Sequence, residues 1–414
     1  MSASLRILPD ADAAGPALLD RPLHYFGAGG AITEVASDSL RDHRLRFGSR
    51  PLLGGDELID ALAEAGLTGR GGAHLPSVIK WRAVRSAAHA DGAVVVANGA
   101  ESEPDSRKDA ALLEFRPHLV LDGLVAAATA LDAREAVVWL HESASTTRAA
   151  ISRALAERTD PVPVRIAVGP DRYLTGESSA IVRALSGGPA LPAFRTKPSA
   201  IAGVAGRPTL VQNVETLARV ALVARGFVPE TTLITVVVGD ARVVVEAPVS
   251  ADLHDVVGRV SGLTPGAVLL GGYGGQWCAW SDVAGARLAE DDLRARGLSL
   301  GAGVVSVLPP GECGLARTSS LIAYLAEQGA RQCGPCRFGL PAVADSLALL
   351  VRGGRRSRHE RERLATFLSE IRGRGACGHP DGAVRMVASA LSVFAADVAA
   401  HRRGGCVMRG EPVR

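Results

Sequence analysis

A glycine-rich stretch over residues 69–81, GRGGAHLPSVIKW, combines residue types that bind anions. It follows an amphipathic segment, residues 57–67, whose apolar positions fit one helical face, so the glycines begin where that helix ends. Gly69, Gly71 and Gly72 permit positive φ and leave main-chain amides open to close approach, while Arg70 and Lys80 add positive charge. The stretch predicts a phosphate-bearing cofactor, although a glycine cap at a helix end would give the same pattern.

Three further loops carry polar groups that suit a nucleotide. NGAESEPDSRKD (98–109) and YLTGESS (173–179) follow apolar runs, and the carboxylates of Glu101 and Glu103, which flank Ser102, could accept hydrogen bonds from ribose or ribityl hydroxyls. In PTLVQNVET (208–216), three polar residues have spacings compatible with one helical face, where amides could contact a heterocycle; they are Gln212, Asn213 and Thr216. The alternatives are exposed acidic turns and the polar first turn of a capped helix.

The composition indicates a globular protein with thiolate or metal chemistry. The 414 residues are 47% hydrophobic and 21% charged, which suits roughly two to four domains. A net charge of +3 without a long basic run argues against nucleic acid as a partner. The N-terminal residues lack an apolar h-region and no window approaches 18 apolar residues, so we expect a cytoplasmic protein without direct membrane insertion, able to dock on a membrane complex through partners. Six cysteines in such a chain favour thiolates or metal over disulfides.

The predicted elements divide the chain into an extension and three domains. Residues 1–40 show little periodicity and predict a loosely held extension. Over residues 41–228, strand-like runs at 93–97, 136–140 and 164–168 alternate with helical patterns at 112–131 and 146–155, which predicts a Rossmann-like α/β domain with a parallel sheet. Ligands bind beyond the carboxyl ends of such strands, where the polar loops lie.

Two smaller domains are predicted after residue 228. Residues 229–296 suit a β-grasp domain, with runs at 233–238 and 243–246 around a hairpin turn, a short helix at 253–260 and a run at 268–270 that ends in GGYGGQW. Residues 297–414 predict a strand at 304–308 and then helices at 317–327, 341–351, 357–371 and 383–401. This helical bundle contains QCGPCRFG and RGRGACGHPDG, which carry three of the cysteines.

Four stretches resemble one family. GRGGAHLPSVIKW resembles GRGGAGFPTGxKW, NGAESEPDSRKD is similar to NADESEPGTxKD, YLTGESSA to YICGEETA, and GRPTLVQNVETLA to GKPTxVNNVETLA. These motifs belong to the flavoprotein subunit of respiratory NADH:quinone oxidoreductase and to related NAD-reducing hydrogenases and formate dehydrogenases. Their order and spacing agree with this chain from about residue 48 to the C-terminus.

The resemblance implies an FMN-binding domain, an SLBB-like β-grasp domain and a helical iron–sulfur domain. FMN would be held by Gly69, Arg70, Gly71, Gly72, Lys80, Asn98, Glu101, Ser102, Gly176, Glu177, Gln212, Asn213 and Thr216, with Glu103 facing the nucleotide of NAD(H). An iron–sulfur cluster would lie on Cys333, Cys336 and Cys377, which match the second, third and fourth ligands of C-x2-C-x2-C plus a distant cysteine. Electrons would then pass to an iron–sulfur or ferredoxin-like partner subunit.

Four of the departures from the family's motifs bear directly on the chemistry. Leu75 replaces a phenylalanine, Ala100 an aspartate and Ser178 the second glutamate of GEE. That phenylalanine and that glutamate help to hold NADH in the family, and base stacking on an aromatic ring is worth roughly 1–3 kcal/mol in nucleic-acid systems. Use of NADH is therefore an open question, while the flavin site is largely intact. Ala330 stands where the first cluster ligand is expected.

The replaced thiolate leaves three outcomes. Another residue could complete the site; the cluster could keep an open iron or exist as [3Fe–4S] rather than [4Fe–4S]; or the cysteines could hold zinc or nothing. Cys313 and Cys406 are separated from the motif by predicted helices that would place them roughly 15–30 Å away, whereas His379 lies two residues beyond Cys377. CGPC could also be an inert turn or a thioredoxin-like redox pair.

Three functions follow from these alternatives. The first is an electron-transfer flavoprotein subunit that takes electrons from NAD(P)H. The second is an FMN and iron–sulfur protein with another donor, and the third is a zinc-stapled, non-catalytic scaffold subunit.

Overall fold

The computed structural model describes residues 16–26, 36–72, 74–87, 90–194, 197–228, 230–354, 357 and 359–406. All predicted site residues lie within these ranges, whereas most of the predicted N-terminal extension lies outside them.

The described elements alternate between strands and helices over the first half of the chain and are mostly helical at its end. The strands are β1 (Leu23–Phe26), β2 (Ala93–Asn98), β3 (Ala133–His141), β4 (Val164–Gly169), β5 (Thr209–Asn213), β6 (Thr231–Val238), β7 (Ala241–Pro248), β8 (Ala267–Leu270), β9 (Gln276–Ala279) and β10 (Val304–Val307). The helices are α1 (Leu40–Phe47), α2 (Gly55–Glu64), α3 (Ser77–Ser86), α4 (Lys108–Phe115), α5 (Pro117–Ala130), α6 (Ser145–Ala156), α7 (Ser178–Leu185), α8 (Val214–Val223), α9 (Leu253–Ser261), α10 (Glu290–Ala295), α11 (Gly314–Gln328), α12 (Leu340–Arg352), α13 (Glu360–Ile371), α14 (His379–Val393) and α15 (Ala395–Arg402). A π-helical turn, Pro335–Gly339, precedes α12.

The first sheet is four-stranded and parallel, in the order β4-β3-β2-β5. Its central strand β2 is an uninterrupted apolar run because both faces are covered: Val95 packs in the core that contains α5 and α8, and Val94 and Val96 pack on the side of α7. The prediction of an α/β domain with a parallel sheet is confirmed.

Two local predictions in this domain were wrong. The helical pattern at 112–131 is two helices, α4 and α5, because Pro117 cannot continue α4 and instead begins α5. PTLVQNVET is not one helix: residues 209–213 form β5, which pairs with β2, and α8 begins at Val214 with Asn213 as its N-cap. Gln212 therefore lies in β5 and Thr216 in α8, because residues 209–211 pair with β2 and extend the sheet.

The second sheet is six-stranded, in the order β1-β7-β6-β10-β8-β9. β6 and β7 form the predicted hairpin, and its two-residue turn contains Gly239 at a φ of 58°. β10, expected in the helical domain, lies in this sheet, parallel to β6 and antiparallel to β8. The predicted domain boundaries stay predictions.

The described part of the extension is packed rather than loosely held. β1 pairs with β7, and Leu18, Leu23 and Tyr25 are at most 1% exposed. Arg116 donates to the carbonyl oxygen of Leu18, and Glu246 accepts from the amide of Leu19. The expectation of a loosely held segment was wrong here. An edge strand needs only a short apolar segment, and the many Pro, Gly and Asp residues in residues 1–40 hide such a segment when the composition of the whole region is considered.

The C-terminal helices α11 to α15 share one apolar core. The predicted helix at 383–401 is divided into α14 and α15 at Phe394. In the described part of the chain, no single helix has the length and apolarity needed to cross a bilayer; only α14 and α15 taken as a pair, bent by 80°, would pass by length and composition.

Candidate flavin and iron–sulfur site

A cavity of about 520 Å³ lies beyond the carboxyl ends of β2 and β5. Ten of the predicted flavin-site residues line it: Arg70, Gly71, Gly72, Asn98, Glu101, Ser102, Glu103, Gly176, Glu177 and Asn213. Its volume is within the range of about 300–1,000 Å³ that small-molecule sites occupy. Parallel strands bring these sequence-distant loops together, as the sequence predicted.

The glycine stretch forms a turn whose two ends are fastened to the protein. The amide of Gly69 donates to the oxygen of Leu75 at 2.8 Å, and the amide of Arg70 donates to Oγ1 of Thr216 at 2.8 Å. Gly71 and Gly72 face the cavity, and Gly72 has a φ of 103°, which strongly favours glycine. Gly69 and Thr216 therefore support the turn and are not among the residues that line the cavity.

A buried cluster of charges lies behind this turn. Nζ of Lys108 donates to the oxygen of Arg70, to Oδ1 of Asp109 and to Oε2 of Glu215, at 3.2, 2.8 and 3.0 Å. Glu215 also accepts from Arg219, at 2.9 Å. Burial opposes ionisation of Glu215, but the surrounding cations hold its pKa at about 2. Lys108 remains charged: burial lowers its pKa, and the two carboxylates more than offset this.

The two predicted cations differ in position. Arg70 lines the cavity and is 9% exposed; burial, followed by the repulsion of Arg219, lowers its pKa to about 10, so it stays charged. Lys80 lies on the exposed side of α3 and is not among the residues that line the cavity. Lys108, which does line it, was not predicted as a site residue, although it is one of only three lysines in the chain.

Glu101 and Glu177 each cap a helix. The carboxylate of Glu101 accepts from the amides of Asp109 and Ala110 at 3.0 Å, at the start of α4. That of Glu177 accepts from the amides of Ser179 and Ala180 at 2.8 and 3.1 Å, at the start of α7. Both carboxylates line the cavity while they hold the helices that border it.

Glu103 is a buried carboxyl in the cavity wall. Its Oε2 accepts from the amide of Tyr273 at 3.0 Å and from the hydroxyl of Tyr173 at 3.3 Å, while Oε1 is buried without a hydrogen-bond partner among the described residues. Burial, with a smaller effect of Asp105, raises its pKa to about 8. Glu103 is therefore mostly protonated at neutral pH.

The loops after β2 and β4 are held tightly together. Nδ2 of Asn98 donates to the oxygen of Gly176 at 2.8 Å, and the amide of Gly176 donates to Oγ of Ser102 at 3.0 Å. A Cβ at Gly176 would lie 2.7 Å from the carbonyl oxygen of Ala100. Only glycine permits this approach.

The predicted amide cluster is divided in the structure. Asn213 lines the cavity; its Nδ2 donates to Oδ2 of Asp109 at 2.6 Å and its Oδ1 caps α8. Gln212 is buried next to the glycine turn and is not among the residues that line the cavity; its Oε1 has no hydrogen-bond partner in the described part of the chain.

Much of the cavity wall comes from regions that sequence reasoning did not include. The glycine run after β8 contributes Gly271, Gly274, Gly275 and Gln276, and the start of α14 contributes Gly378, His379, Gly382 and Ala383. The available sequence signal for this part of the wall was the glycine run in GGYGGQW. In the structure, three of these glycines lie so close to neighbouring atoms that a Cβ would contact them.

The three motif cysteines are neighbours. Burial, then Glu177, Cys336 and Cys333, raises the pKa of the Cys377 thiol to about 11. Sγ of Cys336 accepts from the amide of Arg331 at 3.2 Å, and a Cβ at Gly329 would lie 2.6 Å from that sulfur. Among the described residues, however, the three sulfurs are not all within 4.8 Å of one another.

The candidates for a fourth ligand lie elsewhere or have another partner. Nε2 of His379 donates to the oxygen of Leu325 at 2.9 Å, and its ring lies 5.5 Å from that of Tyr173. Cys313 caps the N-terminus of α11, whereas Ala330 follows the C-terminus of that 15-residue helix. At 1.5 Å per residue these ends are about 22 Å apart, in keeping with the separation expected from sequence.

Comparisons with known proteins agree with this geometry. Residues 62–222 match the Nuo51 FMN-binding domain, and residues 316–401 match the iron–sulfur binding region of NADH-ubiquinone oxidoreductase-F. The chain carries both of these domains. FMN and an iron–sulfur cluster are the cofactors for which the two domains are described.

Relatives of known identity cover most of the chain. The NADH-quinone oxidoreductase F 2 subunit of Rhizobium meliloti (strain 1021) is 28% identical over 84% of this chain and 89% of its own length. NADP-reducing hydrogenase subunit HndC of Solidesulfovibrio fructosivorans is 24% identical, over 83% of this chain and 76% of its own. The crystal structure of an NAD+-reducing [NiFe]-hydrogenase in the air-oxidized state aligns with a TM-score of 0.76 at 28% identity; it covers 84% of this chain, which spans 63% of that longer chain.

The residues present fit both FMN and an iron–sulfur cluster. For FMN, the cavity has a suitable volume, a positive end and two buried polar atoms without partners among the described residues, Arg70 Nε and Glu103 Oε1. For the cluster, three thiols lie together, and the sulfur of Cys336 accepts a main-chain amide. Ala330 leaves the usual four-cysteine set short of one thiolate.

Proposed function

We propose that this chain is an electron-transfer flavoprotein subunit that takes electrons from a reduced nicotinamide nucleotide and delivers them, through an iron–sulfur cluster, to a partner protein. One observation carries the proposal: Gly378 and His379, which directly follow Cys377, form part of the cavity wall. One short segment therefore lies between the expected flavin and the expected cluster. FMN supplies the conversion between two-electron hydride chemistry and one-electron transfer when it is bound.

The positive end of the cavity would hold the phosphate. Gly71 and Gly72 offer main chain without side chains, and Arg70 presents a buried Nε that has no hydrogen-bond partner among the described residues. Arg70, Lys108 and Arg219 carry three positive charges against the two carboxylates of Glu215 and Asp109, so the local charge stays positive. Gly69 and Thr216 support this turn from behind, and a role for Lys80 stays a prediction.

The remaining predicted residues would hold the polar edges of the ligands. Glu103 is protonated at neutral pH, so its carboxyl can both donate and accept hydrogen bonds toward a ribose hydroxyl. Asn213 and Gln212 place amide groups beside the turn, and Gln212 Oε1 can accept from a heterocyclic N–H. Asn98, Ser102 and Gly176 fix the loops that carry Glu101 and Glu177.

The positions that depart from the family's motifs bear on which electron donor the protein uses. Leu75 is 54% exposed, and neither Leu75 nor Ser178 is among the residues that line the cavity. Stacking and ribose contacts from these positions would then be weak, so NAD(P)H would bind with lower affinity than in relatives that retain both side chains. The second candidate function, electron transfer from a donor other than NADH, rests on the same two positions.

The three cysteines suit a cluster better than a zinc ion. Zn–S bonds of about 2.3 Å place tetrahedral ligands about 3.8 Å apart. At least one pair among the sulfurs of Cys333, Cys336 and Cys377 is more than 4.8 Å apart. This spacing supports a multinuclear iron–sulfur group and counts against the zinc-stapled scaffold at this position.

The acceptor would be an iron–sulfur or ferredoxin-like subunit, because the named relatives are themselves subunits of larger complexes.

The test is the flavin and iron content of anaerobically purified protein, followed by reduction. We expect flavin absorbance that bleaches on addition of NADH or NADPH, and iron that is lost in Cys377→Ala but kept in the control Cys278→Ala. Bleaching with dithionite alone would support the second candidate function. Protein that binds no added FMN, or equal iron in both variants, would contradict the proposal.

A further inference from the structure

The thiols of Cys313 and Cys406 lie together with an imidazole where the start of α11 meets the end of α15. The ligand atoms of Cys313, His401 and Cys406 are all within 4.8 Å of one another, and Sγ of Cys313 is 3.3 Å from Nε2 of His401. His401 is 3% exposed and Cys406 is 7% exposed. Three buried or half-buried soft ligands thus converge from separate parts of the chain.

The local fold explains how Cys406 reaches the other two residues. His401 lies in the last turn of α15, after which the amides of Gly404 and Gly405 donate to the oxygens of His401 and Ala400 at 2.9 and 3.0 Å. Gly404 has a φ of 85°, so the chain reverses direction at a residue that favours this conformation. The reversal returns Cys406 to the end of α15, beside the N-terminus of α11.

We propose that Cys313, His401 and Cys406 form a zinc site that is separate from the iron–sulfur motif. Zn²⁺ binds thiolates at about 2.3 Å and imidazole at about 2.0–2.1 Å, which separates tetrahedral ligand atoms by about 3.5–3.8 Å. Sγ of Cys313 and Nε2 of His401 are 3.3 Å apart, close to that range, and all three ligand atoms are within 4.8 Å of one another, which is not true of the other three cysteines. Two thiolates and one neutral imidazole are ligands that zinc accepts in proteins.

The surroundings of the sulfurs also favour a bound cation. Cys313 is the N-cap residue of α11, so the amides of the first turn, those of Leu315 and Ala316 among them, lie near its sulfur and favour the thiolate. Asp397 lies four residues before His401, and its charge acts on the Cys313 thiol, so a negative group is near the site while solvent can take the fourth position. On binding, each thiol releases one proton to solvent, and two thiolates balance the charge of the ion. The buried site is then neutral.

A thiol–imidazole hydrogen bond would explain only part of this arrangement. It accounts for Cys313 and His401 but not for a third ligand at the same point. The site joins the start of α11 to the end of α15, about 22 Å along α11 from the cluster motif. Cys313 and Cys406 lie outside the matched iron–sulfur region, residues 316–401.

The first test is the zinc content of full-length protein purified without chelators. We expect about one equivalent of zinc per chain, which falls to background in Cys406→Ala and is unchanged in Cys278→Ala, another buried cysteine that lies in the second sheet. Zinc that survives Cys406→Ala would overturn the proposal, because the metal would then be bound elsewhere.

The second test uses the unaltered protein and does not depend on the folding of a variant. Alkylation with N-ethylmaleimide, followed by mass spectrometry, should modify Cys313 and Cys406 many times faster after a zinc chelator is added, while Cys278 reacts slowly with or without it. Equal rates for Cys313 and Cys406 with and without chelator would refute the site. A Cys313–Cys406 disulfide in anaerobically prepared protein would refute it as well.

Discussion

Replacing Glu103 by glutamine should abolish a pH dependence of stability that this residue gives the protein. The pKa of Glu103 is about 8 in the folded chain, against 4.5 for an unperturbed glutamate, mainly because the carboxyl is buried. Between these values the folded state holds a proton that the unfolded state has lost. The contribution of Glu103 is therefore full below about pH 4.5, declines as the pH rises to about 8, and is constant above it.

The size of the effect follows from the same two values. A difference of about 3.5 pKa units, at about 1.36 kcal/mol each, gives at most about 5 kcal/mol. Glu103→Gln mimics the protonated carboxyl, so the variant should match the wild type near pH 4.5 and exceed its free energy of unfolding by up to about 5 kcal/mol above pH 8.

The assay is urea-induced unfolding of both proteins at matched flavin content, from pH 4.5 to 9, with one spectroscopic probe. Glu312→Gln, at an exposed carboxylate, is the control and should give no pH-dependent difference. If Glu103→Gln differs from the wild type by the same amount at every pH, or if the wild type gains on the variant as the pH rises, the assignment of Glu103 as a buried, protonated carboxyl is wrong.

Three further changes test the site. Lys108→Met should lower the free energy of unfolding by about 3–5 kcal/mol, because Glu215 would keep its buried charge with one cation fewer, and urea unfolding against the exposed control Lys197→Met checks this. Gly176→Ala should lower FMN content about tenfold or more, since its Cβ would lie 2.7 Å from a carbonyl oxygen. Flavin absorbance tests this against Gly258→Ala, where no atom lies within 4 Å of the added Cβ. Equal flavin content in the two variants would contradict the predicted contact. Ala330→Cys should change the electron paramagnetic resonance signal of the reduced cluster by adding a thiolate beside Cys336, and an unchanged signal would show that another ligand already completes it.

The sequence predicted best the strands and turns whose conformation depends on neighbouring residues in the chain. Short valine-rich runs predicted β2, β3 and β4, and a Gly-Asp turn predicted the hairpin of β6 and β7. The polar loops could be placed in one site because parallel strands bring their carboxyl ends to one edge. Ten of the residues predicted for the site line the cavity.

The parts that sequence missed depend on contacts between distant segments. β5 was interpreted as helix because its strand identity comes from pairing with β2, and the two carboxylates Glu101 and Glu177 were expected to face ligand although they also cap helices. Of the predicted cations, Arg70 lines the cavity and Lys80 does not, whereas Lys108, which was not predicted, does line it, since burial cannot be read from a motif. Likewise, the return of Cys406 toward Cys313 depends on a turn after α15 that no periodicity predicts.

Strand β1 covers one edge of the second sheet. β1 occupies the hydrogen-bonding edge of β7, and Arg116 fastens the preceding segment through the carbonyl of Leu18 and the carboxylate of Asp20. A chain shortened past Phe26 would present the bare amides and carbonyls of β7 to other molecules, which is the geometry that permits uncontrolled self-association. The leading segment thus acts as a built-in cover, and truncated preparations should be judged by their solubility before their chemistry is compared.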